Sequence, residues 1–333
     1  MPPTTKTRSK TTKAPSPARP KKETPESNVP HRSGFVALVG RPNVGKSTLM
    51  NKLLGQKIAI TSPVMQTTRH RIRGIITIKH AQLVLLDTPG FSKPIDALGS
   101  YLVEEGQAAL SEADTFGVVM DITSPPGPGD AWVIHQVQAA AGDKPILLIL
   151  NKNDRIRGNT ALNKERTVAY TQLFGSQPPK RVVHISAKTG KHIQNLEEAL
   201  FGILPIGPRF YEPDTVTDQR IREITAELIR EQVLHLTHDE LPHSIAVGIE
   251  HFDESDPALI RISATVYVNQ PSQKGMVIGK SGEMIKTIGT QARKAIEAMV
   301  ETQVFLELNV KLKKQWRKDD AFLQAIGLAP PSN

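Results

Sequence analysis

Cysteine is absent from the 333 residues, which excludes a disulfide framework and any thiolate metal site. No apolar run reaches the roughly 20 residues that a bilayer-spanning helix requires. The ten histidines are scattered, without metal-ligand spacing. The first 33 residues lack the apolar core of a secretion signal and hold almost no large apolar side chains. They are rich instead in Pro, Thr, Ser and Lys, and such a segment cannot bury enough surface to offset its ordering entropy. A disordered basic tail over residues 1–33 is expected. An organelle transit peptide is the alternative, disfavoured by the Pro and Lys content. Together these absences point to a cytoplasmic address.

What is present is enough for two ordinary domains with packed cores: 38% hydrophobic residues beside 23% charged ones. The formal charge of +9 is unevenly placed. Residues 1–33 carry eight Lys and Arg against two Glu, and residues 271–318 carry ten against four. Two basic segments suit a polyanion such as nucleic acid or an anionic membrane surface; a solvated basic surface is the bland reading of the same counts.

From Gly34 onward, short apolar runs (residues 35–39, 82–86, 117–121, 146–150 and 181–185) alternate with helical patterns such as 47–54 and 193–204. Such runs read as buried parallel strands, and the alternation predicts a doubly wound, mostly parallel α/β sheet over residues 34–205. A Pro- and Gly-containing stretch, residues 206–218, reads as a linker. Residues 219–333 have a different order: helix, strand, strand, short helix, glycine-containing turn, helix, strand, which predicts an α+β domain. Ile221, Ile224 and Leu228 mark its first helix face.

Residues 40–47, Gly40-Arg41-Pro42-Asn43-Val44-Gly45-Lys46-Ser47, match the phosphate-loop pattern G-x-x-x-x-G-K-[ST], after an apolar strand and before a helix that Thr48 continues. Glycines let backbone N–H groups converge on phosphate oxygens, and the helix N-terminus adds partial positive charge. Lys46 is the expected ligand of the β- and γ-phosphates and Ser47 that of Mg²⁺. Three partners follow in order, each after an apolar strand. Asp87-Thr88-Pro89-Gly90 offers a Mg²⁺-binding carboxylate and a glycine N–H that faces the γ-phosphate. Asn151-Lys152-Asn153-Asp154 selects guanine: Asp154 accepts from N1–H and the exocyclic amine, the Lys152 stem packs on the base plane, and Asn151 ties the base loop to the phosphate loop. Ser186-Ala187-Lys188 brings backbone to the guanine oxygen.

Between the first two motifs lies Gln66-Thr67-Thr68-Arg69-His70, a candidate switch segment. Thr68, with Thr67 close behind, is the expected Mg²⁺ ligand in the GTP state; an ordinary polar loop is the alternative. Where the best-known switches carry a water-orienting glutamine after the Asp-x-x-Gly element, this chain has Phe91, whose ring cannot orient water by hydrogen bonding. Slow intrinsic hydrolysis follows. Asn43 reads either as a ligand for a monovalent cation such as K⁺ or as a simple loop residue.

In the second domain, Val277-Ile278-Gly279-Lys280-Ser281-Gly282 has the G-x-x-G loop with which KH domains clamp about four nucleotides of single-stranded nucleic acid. A tight helix–helix turn is the plain alternative. Lys274, Lys286, Arg293 and Lys294 lie nearby, and Lys311, Lys313 and Lys314 add candidate phosphate contacts. Trp316 reads as a packing residue before a base platform.

Taken together, these residues resemble the Era-type bacterial GTPases over about residues 34–328: one G domain followed by one type II KH domain. Double-G-domain relatives and tRNA-modification GTPases are similar in the first half alone. The resemblance implies binding of small-subunit ribosomal RNA near its 3′ end, work on the pre-small-subunit particle in ribosome biogenesis, and loose peripheral contact with the inner membrane. A monomer is expected. The rival functions are a GTPase whose second domain docks a protein or membrane, an ATP-using P-loop enzyme, and an RNA chaperone with an inert nucleotide site.

Overall fold

A computed structural model describes residues 29–62, 67–89, 95–156, 158–237 and 244–329. From His31 onward the chain forms one unit. Its first part is a six-stranded sheet in the order β2-β3-β1-β4-β5-β6, from β1 (Arg32–Val39), β2 (Ile72–Ile78), β3 (Ala81–Asp87), β4 (Thr115–Asp121), β5 (Ile146–Asn151) and β6 (Arg181–His184). All pairs are parallel except the β2–β3 hairpin. Between the strands run α1 (Lys46–Leu54), α2 (Ala97–Glu112), α3 (Pro128–Ala141), α4 (Thr160–Gln172) and α5 (Ile193–Ile203).

Every residue of β3 and β5 is buried. Helices cover both faces of the sheet, so the strands read as unbroken apolar runs. The two-residue strand period still sorts the side chains. Val36 and Leu38 pack with the α1 and α5 layer, while Ala37 and Val39 pack with Val133, Ile134 and Val137 of α3. The apolar runs read from the sequence lie within β1, β3, β4 and β5, and the fifth reaches one residue past β6. The strand without an expectation is β2. Arg73 and Gly74 interrupt its apolar residues, and its hairpin turn, Lys79-His80, carries no glycine or asparagine signal.

Strand order reverses at β1, whose neighbours β3 and β4 lead to opposite halves of the sheet. In such sheets the crevice beyond the carboxyl ends of the strands is the place for ligands. The four motif loops all leave from those ends.

The second part is a three-stranded sheet, β7 (Ile245–Asp253), β8 (Leu259–Val268) and β9 (Gln303–Leu312), with β7–β8 antiparallel and β8–β9 parallel. Parallel pairing requires a crossover, supplied by α7 (Pro271–Ile278) and α8 (Glu283–Val300). Leu228, Ile229 and Val233 of α6 (Ile221–Leu236) join Ile288, Ala292 and Ile296 of α8 in the core. Ile224 and Leu228 are buried as the stripe predicted, but Ile221 stays 43% exposed. The element order is the expected one, with a short α9 (Asp320–Ala325) added. The segment around α9 binds the parts together: Trp316, Leu323 and Leu328 form one apolar cluster with Leu98 and Leu102 of α2.

The 206–218 stretch is held at several points. The Gln82 amide donates to Tyr211 O (2.8 Å) and its oxygen accepts from Phe210 N (2.8 Å) and Tyr211 N (2.9 Å). Ile75 N on the edge strand donates to Val216 O at 2.8 Å.

Candidate functional site

The phosphate loop is shaped by close approach. A Cβ at Gly40 would stand 2.4 Å from Val119 O, and Gly45 adopts φ +99° with its α-carbon pressed towards the Asn151 amide. Asn43 is also left-handed, at φ 64°. No side chain caps the start of α1, so its first N–H groups are left for a ligand. Lys46 is buried, with Nζ donating to Gly40 O (3.0 Å) and Arg41 O (3.2 Å). Burial pushes its pKa down, against the pull of Asp87. Arg41 is turned away to Asp130 at the start of α3, at 2.7 Å. Pro42 and Thr48 border the same hollow as Thr67 and Thr68.

Three oxygens meet beside Lys46. Ser47 Oγ donates to Asp87 Oδ2 (2.6 Å), Thr68 Oγ1 lies 2.9 Å from Ser47 Oγ, and Thr68 Oγ1 donates to Asp87 Oδ2 at 3.3 Å. Asp87 Oδ1 is buried with no hydrogen-bond partner among the described residues. Burial raises its pKa, although Lys46 and the two hydroxyls oppose this. An orphaned carboxylate oxygen next to two hydroxyls is a hard-oxygen donor set that suits a small divalent cation. Thr88 Oγ1 donates to Leu38 O (2.9 Å) and anchors the loop after β3 to the neighbouring strand. Pro89 follows in this loop. Gly90, Phe91 and Gln66 lie outside the described residues.

The base side is built on Asn151. Its amide donates to Val44 O (2.8 Å) and its oxygen accepts from Ala187 N (2.9 Å), so one side chain joins three of the loops. Ser186 Oγ donates to Asp154 Oδ1 (2.6 Å), leaving Oδ2 for a ligand. Lys152, at φ 65°, donates to Asp121 Oδ2 at 2.6 Å, which lays its stem across the loop. Burial alone would raise the Asp121 pKa, but Lys152 and Thr123 hold it below the usual value. Asn151, Lys152, Asp154, Ala187 and Lys188 border a cavity of about 830 Å³, within the range of small-molecule sites.

The switch segment is shared. While Thr68 faces Ser47 and Asp87, its neighbour Arg69 is 3% exposed and reaches the second domain. There its guanidinium donates to Ile245 O (2.8 Å) and lies 5.4 Å from the centre of the Trp316 ring. Arg230 of α6 donates to Thr67 O and pairs with Glu227 at 2.5 Å. His70 sits 3.3 Å from Tyr101 Oη, and burial lowers its pKa. No sequence motif pointed to Glu227, Arg230 or Glu231, nor to Asp121 and Asp130. In the sequence the charges of α6 look like the ordinary polar face of an amphipathic helix.

In the second domain, Gly279, Ser281 and Gly282 all have positive φ (74°, 51° and 80°). A Cβ at Gly279 would stand 2.5 Å from Met284 Cβ, whereas the space over Gly282 is open. Val277 is buried and anchors the loop behind half-buried Ile278; Lys280 and Ser281 are both exposed at the loop's tip. Past the loop a groove of about 310 Å³ runs between α8 and β9, bordered by Lys286, Arg293, Leu306 and Leu308. Lys311 and Lys313 are ion-paired, with Glu250 (2.8 Å) and Asp319 (2.7 Å). Trp316 is fully buried, its indole N–H donating to Ser244 O at 2.9 Å, so it offers no face to a base.

The family model described as 50S ribosome-binding GTPase matches residues 35–152, and that of the KH domain matches residues 240–317. GTPase Era of Rippkaea orientalis is 45% identical over 296 residues, covering 89% of this chain and 92% of the relative. GTPase Era of Leuconostoc citreum is 43% identical over 298 residues, covering 89% and 96%. The chain belongs to the GTPase Era family. Among solved structures, a point variant of Aquifex aeolicus Era bound to GDP·AlF4⁻ superposes with a TM-score of 0.84 at 34% identity, covering 90% of this chain and 100% of the other. Era in complex with MgGDPNP and nucleotides 1506–1542 of 16S ribosomal RNA gives the same four figures. As a member of the Era family the chain is a GTPase, with a P-loop domain of mostly parallel sheet and a C-terminal KH domain. Among the described residues no helix is long and apolar enough to cross a membrane.

Proposed function

We propose that this chain is a GTP-gated RNA-binding switch that assists maturation of the small ribosomal subunit. The observation that carries it is the adjacency of Thr68 and Arg69. One hydroxyl joins the Ser47–Asp87 cluster, and the next side chain is buried against Ile245 and Trp316 of the KH domain. A change at the phosphate site thereby reaches the RNA-binding domain through one peptide unit, and linkage makes the coupling reciprocal. The solved Era bound to MgGDPNP and 16S RNA nucleotides supports the choice of ligands.

In this reading the domains run 34–205, 206–218 and 219–333 behind a basic tail. Gly40 to Thr48, with residues 87–90, hold the phosphates. Asn151, Lys152, Asp154 and residues 186–188 hold guanine. Ser47, Thr68 and Asp87 hold Mg²⁺, which supplies charge neutralisation between the phosphates. Lys46 adds a second cation. Asn43 is the proposed ligand for K⁺; equal hydrolysis rates in potassium and sodium would remove that role. Lys280 and Lys286 meet RNA phosphates. Lys311 and Lys313 join them by exchanging exposed carboxylate partners, a weak competition.

The test measures affinity for a single-stranded RNA from the 3′ end of small-subunit ribosomal RNA, with a non-hydrolysable GTP analogue and with GDP. Wild type binds tighter in one state by about fivefold or more, the low end of ordinary allosteric coupling, and Arg69→Ala brings the two affinities together. Equal affinities in wild type sink the gating. No RNA binding at low salt turns the reading to a domain that docks protein or membrane.

A further inference from the structure

Helix α6 belongs to the KH domain, yet its polar edge serves the nucleotide crevice. Ile60, in the loop after α1, is buried with the KH core. Beside it Glu231, fully buried, accepts from Thr61 N at 2.9 Å and from Thr61 Oγ1 at 3.3 Å, and pairs with Lys57. One turn later His235 Nε2 stands 2.8 Å from Thr61 O. A carbonyl only accepts, so Nε2 carries the proton, and Nδ1 of the neutral ring is an acceptor. Nδ1 has no hydrogen-bond partner among the described residues. His235 borders the same 830 Å³ cavity as Asp154 and Lys188, together with Thr48, Thr61 and Ser62.

With guanine at Asp154 and phosphates at Gly45 to Ser47, the ribose lies between them. It brings two hydroxyl donors to that part of the cavity. We propose that the KH domain completes the nucleotide site: His235 accepts a ribose hydroxyl at Nδ1, and Glu231 is a positioning residue that holds Thr61 beside it. This rests on the guanine-nucleotide reading of the crevice. It makes the nucleoside, besides the γ-phosphate, a point where the KH domain senses occupancy. A movement of α6 then loosens GDP and GTP alike.

The full chain is tested with two probes, GDP and 2′,3′-dideoxy-GDP, by competition against radiolabelled GDP. Wild type prefers GDP by about three- to tenfold, the yield of one neutral hydrogen bond. His235→Ala brings this ratio close to one, and His235→Gln, whose amide oxygen accepts, restores part of it. A purely structural His235–Thr61 bond gives another pattern. Its loss weakens both nucleotides by the same factor and leaves the ratio at its wild-type value, which overturns the proposal. So does a wild type that does not distinguish the two probes. Failure of wild type to bind GDP at all is a separate result, and it removes the guanine reading itself.

Discussion

Asp154 is the proposed source of base specificity. Ser186 donates to Oδ1, and Oδ2 is the oxygen proposed to meet the base. Guanine offers two N–H donors to such a carboxylate. Asp154→Asn replaces one acceptor by a donor and leaves a base N–H opposed. GDP affinity is expected to fall about 10- to 100-fold, the range for charge-assisted hydrogen bonds, while xanthosine diphosphate, with an acceptor at that position, gains. Isothermal titration with both nucleotides checks this. Unchanged GDP binding would dislodge Asp154 from the base site. His70 gives a pH signature at the same scale. Burial holds its folded pKa below the ordinary value of 6.5, although Glu227 and Glu105 pull it up and Arg230 adds to the depression. The unfolded chain therefore binds more protons as pH falls through 6.5 towards the folded value, and stability is lost in that window. The slope from one group is at most about 1.4 kcal/mol per pH unit. Urea unfolding at about pH 7.5 and about pH 5.5, on either side of the ordinary histidine pKa, reads it, and His70→Gln reduces the difference between the two conditions.

Among elements, the loop between α7 and α8 separates two uses of glycine. Both glycines hold positive φ, but only Gly279 has Met284 pressed against it. Gly282→Ala is expected to cost about 1–2 kcal/mol, the left-handed backbone penalty. Gly279→Ala costs more, because the Met284 backbone must also move. Chemical denaturation of the two variants gives the order, and equal losses would mean that Met284 yields freely. The same loop was legible in the sequence because G-x-x-G fell between two helical stripes. The phosphate loop and the next two motifs were legible because each follows an apolar run; the last follows Arg181–His184, where Arg181 and His184 flank Val182 and Val183. Two kinds of feature were not. The β2 edge strand is half polar, so no run announced it. The clasp of α6 on Lys57, Thr61 and Thr67 joins positions more than 160 apart in sequence through single buried charges such as Glu231 and Arg230. No local spacing encodes such pairs; they exist only once both cores have packed.

For the whole molecule, the basic surplus of residues 271–318 includes exposed Lys280 in the loop before α8 and Lys286 on the border of the KH groove. RNA affinity should fall linearly on a logarithmic salt scale. The slope drops by about 0.7 for each phosphate contact removed from a single strand. Lys280→Asp and Lys286→Asp should each lower the slope by about that amount without altering GDP affinity. Filter binding between about 50 and about 300 mM KCl, on the order of the range over which such contacts are screened, provides the measurement. A variant with wild-type slope places its lysine off the RNA path.

The stretch holding Thr68 and Arg69 gives the molecule a sensitivity to parity. These two neighbouring side chains leave for different partners, so what reaches the phosphate crevice and what reaches Trp316 is decided by counting residues from the last fixed point. Exchanging a side chain there alters one conversation. Deleting a single residue upstream swaps the listeners, sending the hydroxyl towards the indole and the guanidinium towards Ser47 and Asp87. Changes of length in this segment should therefore be worse tolerated than changes of letter.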